Sequence, residues 1–236
     1  ITGVVQMTVR PFSVLTESGE QAPPLILNGC LASAAGTPDL YPQAADRYNA
    51  GTAIWTTQPP ACIHTAPLNL HSGTVSRISA PQTDLWPALL AVTRNEFKQL
   101  ADADRGQRIE ARRRYWWAEP GDMHNGRWHR SLGTPIQPVV LVFPAHTGCP
   151  KFQSGVQIHG FVFIDQDCGA PQPWNTLTIY GSLAVNGDLF SCRIACEVSH
   201  EGLQRLFQRI GIEGGKDPPE GIVGRNTVGQ MQKALQ

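Results

Sequence analysis

Four short apolar segments each carry a glycine near the middle: LILNGCLA around Gly29, LNLHSGTVS around Gly73, VQIHGFVFI around Gly160 and LTIYGSLAV around Gly181. A glycine weakens a strand interior because it offers no side chain to pack, so it marks a place where the backbone bends or another backbone comes close. Gly160 and Gly181 are 21 residues apart, and Gly29 and Gly73 are 44 apart. Spacings of this order suit the rungs of a parallel β-helix. Ile158, Phe161 and Phe163, then Ile179, Leu183 and Val185, would line its interior. The pattern predicts a short solenoid-like stack embedded in a larger fold, with ordinary hairpins carrying glycine bulges as the alternative.

Composition agrees with a strand- and loop-rich chain. With 23 Gly and 19 Pro among 236 residues, a long helical bundle or coiled coil would be broken repeatedly. The 19 basic and 19 acidic side chains cancel, which leaves no overall field to draw in a polyanion, so no nucleic-acid partner is expected. The 41% apolar content is enough for a sizeable core and argues against disorder. The expected class is mainly β (α+β), with one or two amphipathic helices. Residues 4–10 read as an edge strand, 23–33 as a short apolar run, 34–62 as a long Pro/Gly/Ala-rich loop and 138–145 as a buried strand closed by proline. The first helix is predicted over 83–103, capped at Thr83 or Asp84, with Pro87 in its first turn and Leu85, Leu89, Val92, Phe97 and Leu100 at helical spacing. The second is predicted over 200–211, with Leu203, Leu206, Phe207 and Ile210 on one face and Gly211 as its stop. The organisation expected is a β-rich domain over 1–198 with the first helix inserted, and a C-terminal helix and tail over 199–236.

Six cysteines, Cys30, Cys62, Cys149, Cys168, Cys192 and Cys196, form no CxxC pair. Their even number suggests disulfides between chain neighbours, Cys30–Cys62, Cys149–Cys168 and Cys192–Cys196, although six cysteines admit fifteen connectivities. Buried free thiols are the other reading. Disulfides would imply an exported protein.

Signals for chemistry are few. His124 and His129 lack zinc spacing, and His64, His71 and His159 could meet only through folding. There is no nucleophile elbow, phosphate loop or dinucleotide fingerprint, so no catalytic residue, metal ligand or cofactor is assigned. Asp165 and Asp167 follow one apolar strand and Asp188 closes the next; on a β-helix such carboxylates could serve as an acid/base pair or calcium ligands. Asp is equally at home in turns after strands, where it bonds local backbone N–H groups. The run Arg112, Arg113, Arg114, Tyr115, Trp116, Trp117 could stack on bases or sugars. A strand with buried rings, covered by arginine stems, accounts for it more simply.

Several segments, in order, carry a resemblance. TVRPFSVLTESGEQAPPLILNGCLAS (8–33), TPDLYP (37–42) and ACIHTAPLNLHSG (61–73) are followed by RYWWAEPGDMHNGRWHRSLGTPIQPVVLVFPAHTGCP (114–150), GVQIHGFVFIDQDC (155–168) and WNTLTIYGSLAVNGDL (174–189). Together they resemble the soluble part of PilX-type pilus assembly proteins, the minor pilins of bacterial type IV pili. The resemblance implies a non-enzymatic head that joins other minor pilins, and in some cases a large tip adhesin, at the pilus end. It also implies export, to the periplasmic face of the inner membrane and the pilus tip. Membrane attachment would come only through an N-terminal apolar helix, which is not part of this chain. Trp116, Trp117 and Trp128, taken as exposed aromatics, are the candidate contact residues. The competing expectation is an exported carbohydrate-active or carbohydrate-binding β-helix protein using Asp165, Asp167 or Asp188.

Overall fold

The structure, a computed structural model, describes residues 7–10, 22–34, 39–42, 51–64, 68–78, 84–168 and 177–191, all within the unit Ile1–Arg193. Thirteen strands and two helices follow in chain order: β1 (Met7–Arg10), β2 (Leu25–Leu27), β3 (Leu31–Ala34), β4 (Asp39–Leu40), β5 (Thr52–Thr56), β6 (Thr74–Arg77), α1 (Trp86–Leu89), α2 (Arg94–Gln107), β7 (Tyr115–Trp117), β8 (Arg127–Trp128), β9 (Val139–Phe143), β10 (Lys151–Phe152), β11 (Val156–Ile164), β12 (Leu177–Val185) and β13 (Leu189–Ser191). The protein is mostly β, as expected. The predicted helix over 200–211, the tail and Cys192 and Cys196 lie outside the described residues.

The main sheet runs β6-β5-β2-β12-β11-β9-β7, with β1 paired to β12 and β4 to β1. Each pairing of named strands among the described residues is parallel. From β7 to β12 spatial order follows chain order, and then β2, β5 and β6 continue it. The amino-terminal third therefore stacks onto the last strands of the carboxy-terminal part. β6 and β7 occupy opposite edges, and the helical segment between them carries the chain from one edge to the other.

Both faces of the central strands β9, β11, β12 and β2 are buried, which is why they read as apolar runs with little alternation. One face supplies a large cluster with Leu27, Trp116, Leu141, Val162 and Leu183. The other packs Ile26, Val142, Phe161, Phe163 and Ala184 against Leu85, Trp86, Phe97 and Ala101 of the helical segment. This corrects the expected interior: Phe161 and Phe163 face the helices, while Val162 and Ile164 join Ile158 inside. Strict alternation from Ile158 demands that parity.

Gly160 and Gly181 pair with each other in the β11–β12 register. Their φ values are +141° and +152°, in territory that favours glycine. A Cβ on Gly160 would strike the Val139 carbonyl, and one on Gly181 would strike that of Gly160. The 21-residue spacing was thus a true register, whereas Gly29 and Gly73 lie outside strands, in a turn after β2 and just before β6. The hairpin alternative does not describe these strands.

Three sequence expectations need correction. β1 is paired on both sides rather than at an edge. The supposed loop 34–62 contains β4 and β5, and β5 sits between β2 and β6; its TAIWT pattern is short and was masked by neighbouring Pro and Gly. The single helix over 83–103 is two. Asp84 accepts the Trp86 N–H (2.9 Å) and Pro87 fits the first turn, but Leu90 is extended and α2 starts afresh with Thr93 as its cap. The Thr93 hydroxyl accepts the Glu96 N–H (3.3 Å) while the Glu96 carboxylate accepts the Thr93 N–H (2.7 Å), a capping box. Phe97, Ala101 and Asp104 form the buried stripe of α2, and Leu100 is exposed.

Candidate functional site

A dense polar cluster lies where the helical segment meets the ends of the sheet strands. Ile164, Val185 and Leu27 are register partners in β11, β12 and β2, so the next residues, Asp165, Asn186 and Asn28, fall in a row. Asn186 Nδ2 donates to Asp165 Oδ1 and Asn28 Nδ2 donates to Asn186 Oδ1, each at 3.0 Å. Asn186 Nδ2 also reaches Asp84 Oδ1 (3.0 Å), and the Leu85 N–H donates to Asn186 Oδ1 (3.1 Å). Arg94 closes the cluster: its Nη1 and Nη2 grip Asp84 at 2.8 Å each, and its Nε and Nη2 grip Asp165. The guanidinium lies 4.9 Å from the Trp86 ring centre.

The electrostatics follow from that geometry. Hydrogen bonds from Arg94 hold the Asp84 carboxyl below the usual carboxylate range, against the opposing effect of burial. Its hydrogen bonds to Asp165 and then to Asp84 raise Arg94 still further above its ordinary value. A general acid/base pair needs one carboxyl that keeps a proton while the other is ionised. Here Arg94 grips both carboxylates and holds Asp84 low, and the cluster acts as a clamp.

The other acidic candidates are committed elsewhere. Asp188 Oδ1 accepts the Cys30 N–H (2.7 Å) at the turn between β2 and β3. Asp167 lies beside Gly187 at the neighbouring turn. These are the backbone-bonding and turn roles that Asp favours after strands. In the same region Cys30 is bonded to Cys62, with Cα atoms 5.2 Å apart, next to the paired Leu31 and Ile63. Cys149 is bonded to Cys168, with Cα atoms 5.5 Å apart. The expected Cys192–Cys196 bond lies outside the described residues.

The tryptophans taken as contact residues are core. Trp116, Trp117 and Trp128 are 2%, 8% and 0% exposed. Trp116 and Trp128 meet edge-on at 5.9 Å, and Phe143 continues the chain of rings at 5.3 Å from Trp128. Trp117 lies on the opposite face beside Trp86 and Phe97. Arg113 stands 5.0 Å over Trp116, and Arg130 lies 5.8 and 5.7 Å from Trp116 and Trp128. Arginine thus covers the rings, as the simpler reading of the RRRYWW run required.

One feature escaped sequence reasoning. His159 and Tyr180 are register partners whose rings stack at 4.2 Å and 8°. Tyr41 and His71 stack at 3.8 Å and 19°, and His71 Nε2 meets Asp39 Oδ1 at 3.0 Å. Burial pushes the His159 imidazole below its ordinary pKa. The signal was present: His159 and Tyr180 are 21 residues apart, as Gly160 and Gly181 are. Each stacked ring covers one face of its partner, and the pairs brace the segments that carry them. His64, His71 and His159 do not converge, and among the described residues no group of three His, Cys, Asp or Glu could hold a metal ion. Among those residues no helix is long and apolar enough to cross a membrane. The chain matches no protein family, no curated protein and no solved structure.

Proposed function

We propose that this chain is a non-enzymatic structural and interaction module, the head of a PilX-type minor pilin that acts in type IV pilus assembly through its surfaces. The observation that carries the reading is the use made of its polar side chains: Asp165 clamps Arg94 and Asn186, and Asp188 holds the Cys30 backbone. Carboxylates spent on holding strands together favour a scaffold over the alternative carbohydrate-active enzyme. The two disulfides join separate strand-bearing segments and suit a head that works outside the reducing cytosol. Its expected partners are other minor pilins and, in some cases, a tip adhesin.

Within this reading the described strands form a short solenoid-like coil. Parallel pairing throughout, the Gly160–Gly181 register and the shorter parallel ladders β8–β10 and β3–β13 support that architecture. The experiment is deletion of the gene in the organism that encodes it, with pili counted by electron microscopy. The reading expects a loss of surface pili, restored by the full-length protein. Normal pilus number and length after deletion would overturn it.

A further inference from the structure

We propose that His124, Arg127, His129, Lys151 and Gln153 form a binding surface for an anionic polysaccharide. Arg127 and Lys151 are register partners in the parallel pair β8–β10, so their Cα atoms are about 5 Å apart. Their neighbours Trp128 and Phe152 are fully buried, which turns both cations outward, and both are exposed. Like charges placed side by side on neighbouring strands are destabilising unless an anion shares them. Among the described residues no carboxylate lies within ion-pair distance of either. The nearby carboxylates are engaged: Asp122 by Arg105 and Arg130, and Glu110 by Arg130.

The surroundings extend the surface. His124 and Arg127 face each other across a tight turn, with reciprocal backbone hydrogen bonds of 2.9 and 3.0 Å and positive φ at Asn125 and Gly126. The His124 and His129 rings are 5.9 Å apart, and both residues are exposed. Gln153, two residues beyond Lys151, is exposed as well, and its N–H continues the ladder to Trp128 O (2.8 Å). The surface therefore offers two cations, two imidazoles and an amide on a rigid base, without an exposed apolar anchor among these residues. Protein partners are anchored by buried aromatic or apolar side chains. A hydroxyl-rich anionic chain needs only charge and hydrogen bonds, and fits better.

The test uses the whole chain and defined heparin fragments in low-salt buffer, with affinity measured by calorimetry. R127S/K151S should weaken binding by about tenfold or more, since two charge contacts are lost, and should flatten the salt dependence. R127K/K151R, which keeps both charges, should retain affinity within about threefold. R77S/K98S removes the same charge at β6, the sheet edge opposite β7, and at α2, and should change affinity by less than about twofold. Failure of the wild type to bind, or an equal loss in R77S/K98S, would overturn the proposal. So would binding of polyglutamate as tight as that of heparin, which would identify an acidic protein as the partner.

Discussion

At Gly181 the backbone adopts φ +152° with the Gly160 carbonyl where a Cβ would stand. Gly181→Ala must strain the backbone and push β11 away from β12, costing about 3–5 kcal/mol. Gly106 in α2 has no atom within 4 Å of an added Cβ, and Gly106→Ala should stabilise by about 0.5–1 kcal/mol through helix propensity. Urea melts of the two variants test the contrast, and equal effects would refute the assigned register. His159 makes a second residue-scale prediction. Burial lowers its pKa in the folded protein, so the unfolded chain takes up the proton first. Stability from the neutral ring is complete above about pH 6.5 and declines as pH falls from there toward the folded pKa. His159→Gln should flatten that part of the stability–pH curve. The glycine spacing was legible because two glycines in register leave a 21-residue interval in the sequence. The parity of Phe161 and Phe163 was not, since a sheet buried on both faces carries large apolar residues at odd and even positions alike.

The two helices depend on their polar anchors more than on their length. α1 has a single turn, too short to hold by itself, and Arg94 ties both helices to the sheet through Asp84 and Asp165. Asp165→Ala should cost about 2–3 kcal/mol, less than a fully buried ion pair, because Arg94 is partly exposed and keeps Asp84. The loss should appear as reduced urea stability and faster amide exchange in α2. Unchanged exchange there would show that the clamp is not what docks the helix. Apolar spacing was enough to locate a helical region near 83–103. It could not reveal the break at Leu90, because Leu89, Val92 and Phe97 remain compatible with one continuous helix until the Thr93–Glu96 cap is recognised. The clamp was legible only in fragments: Asp165 was a candidate carboxylate, but its donor Arg94 and Asp84, which shares that guanidinium, lie 71 and 81 residues away in the chain.

At the scale of the whole molecule, chain order along the path from β7 to β6 is broken where β12 meets β2, and β1 joins β12 across a similar gap in the chain. Nothing in composition or periodicity marks that junction, because it joins segments more than 150 residues apart. The disulfides reinforce the two halves separately, Cys30–Cys62 in the amino-terminal third and Cys149–Cys168 in the carboxy-terminal part. Each closes a loop for which the chain-entropy estimate is about 3–4 kcal/mol. Cys62→Ala should therefore lower stability by about 2–4 kcal/mol in oxidised protein, and peptide mapping without reductant should recover both linkages. The junction itself is open to direct observation by NMR of deuterated protein. Cross-strand backbone contacts should pair Leu183 with Leu25, Ala184 with Ile26 and Val185 with Leu27, in parallel register. An antiparallel pattern, or β12 contacts that leave out Leu25–Leu27, would contradict the account.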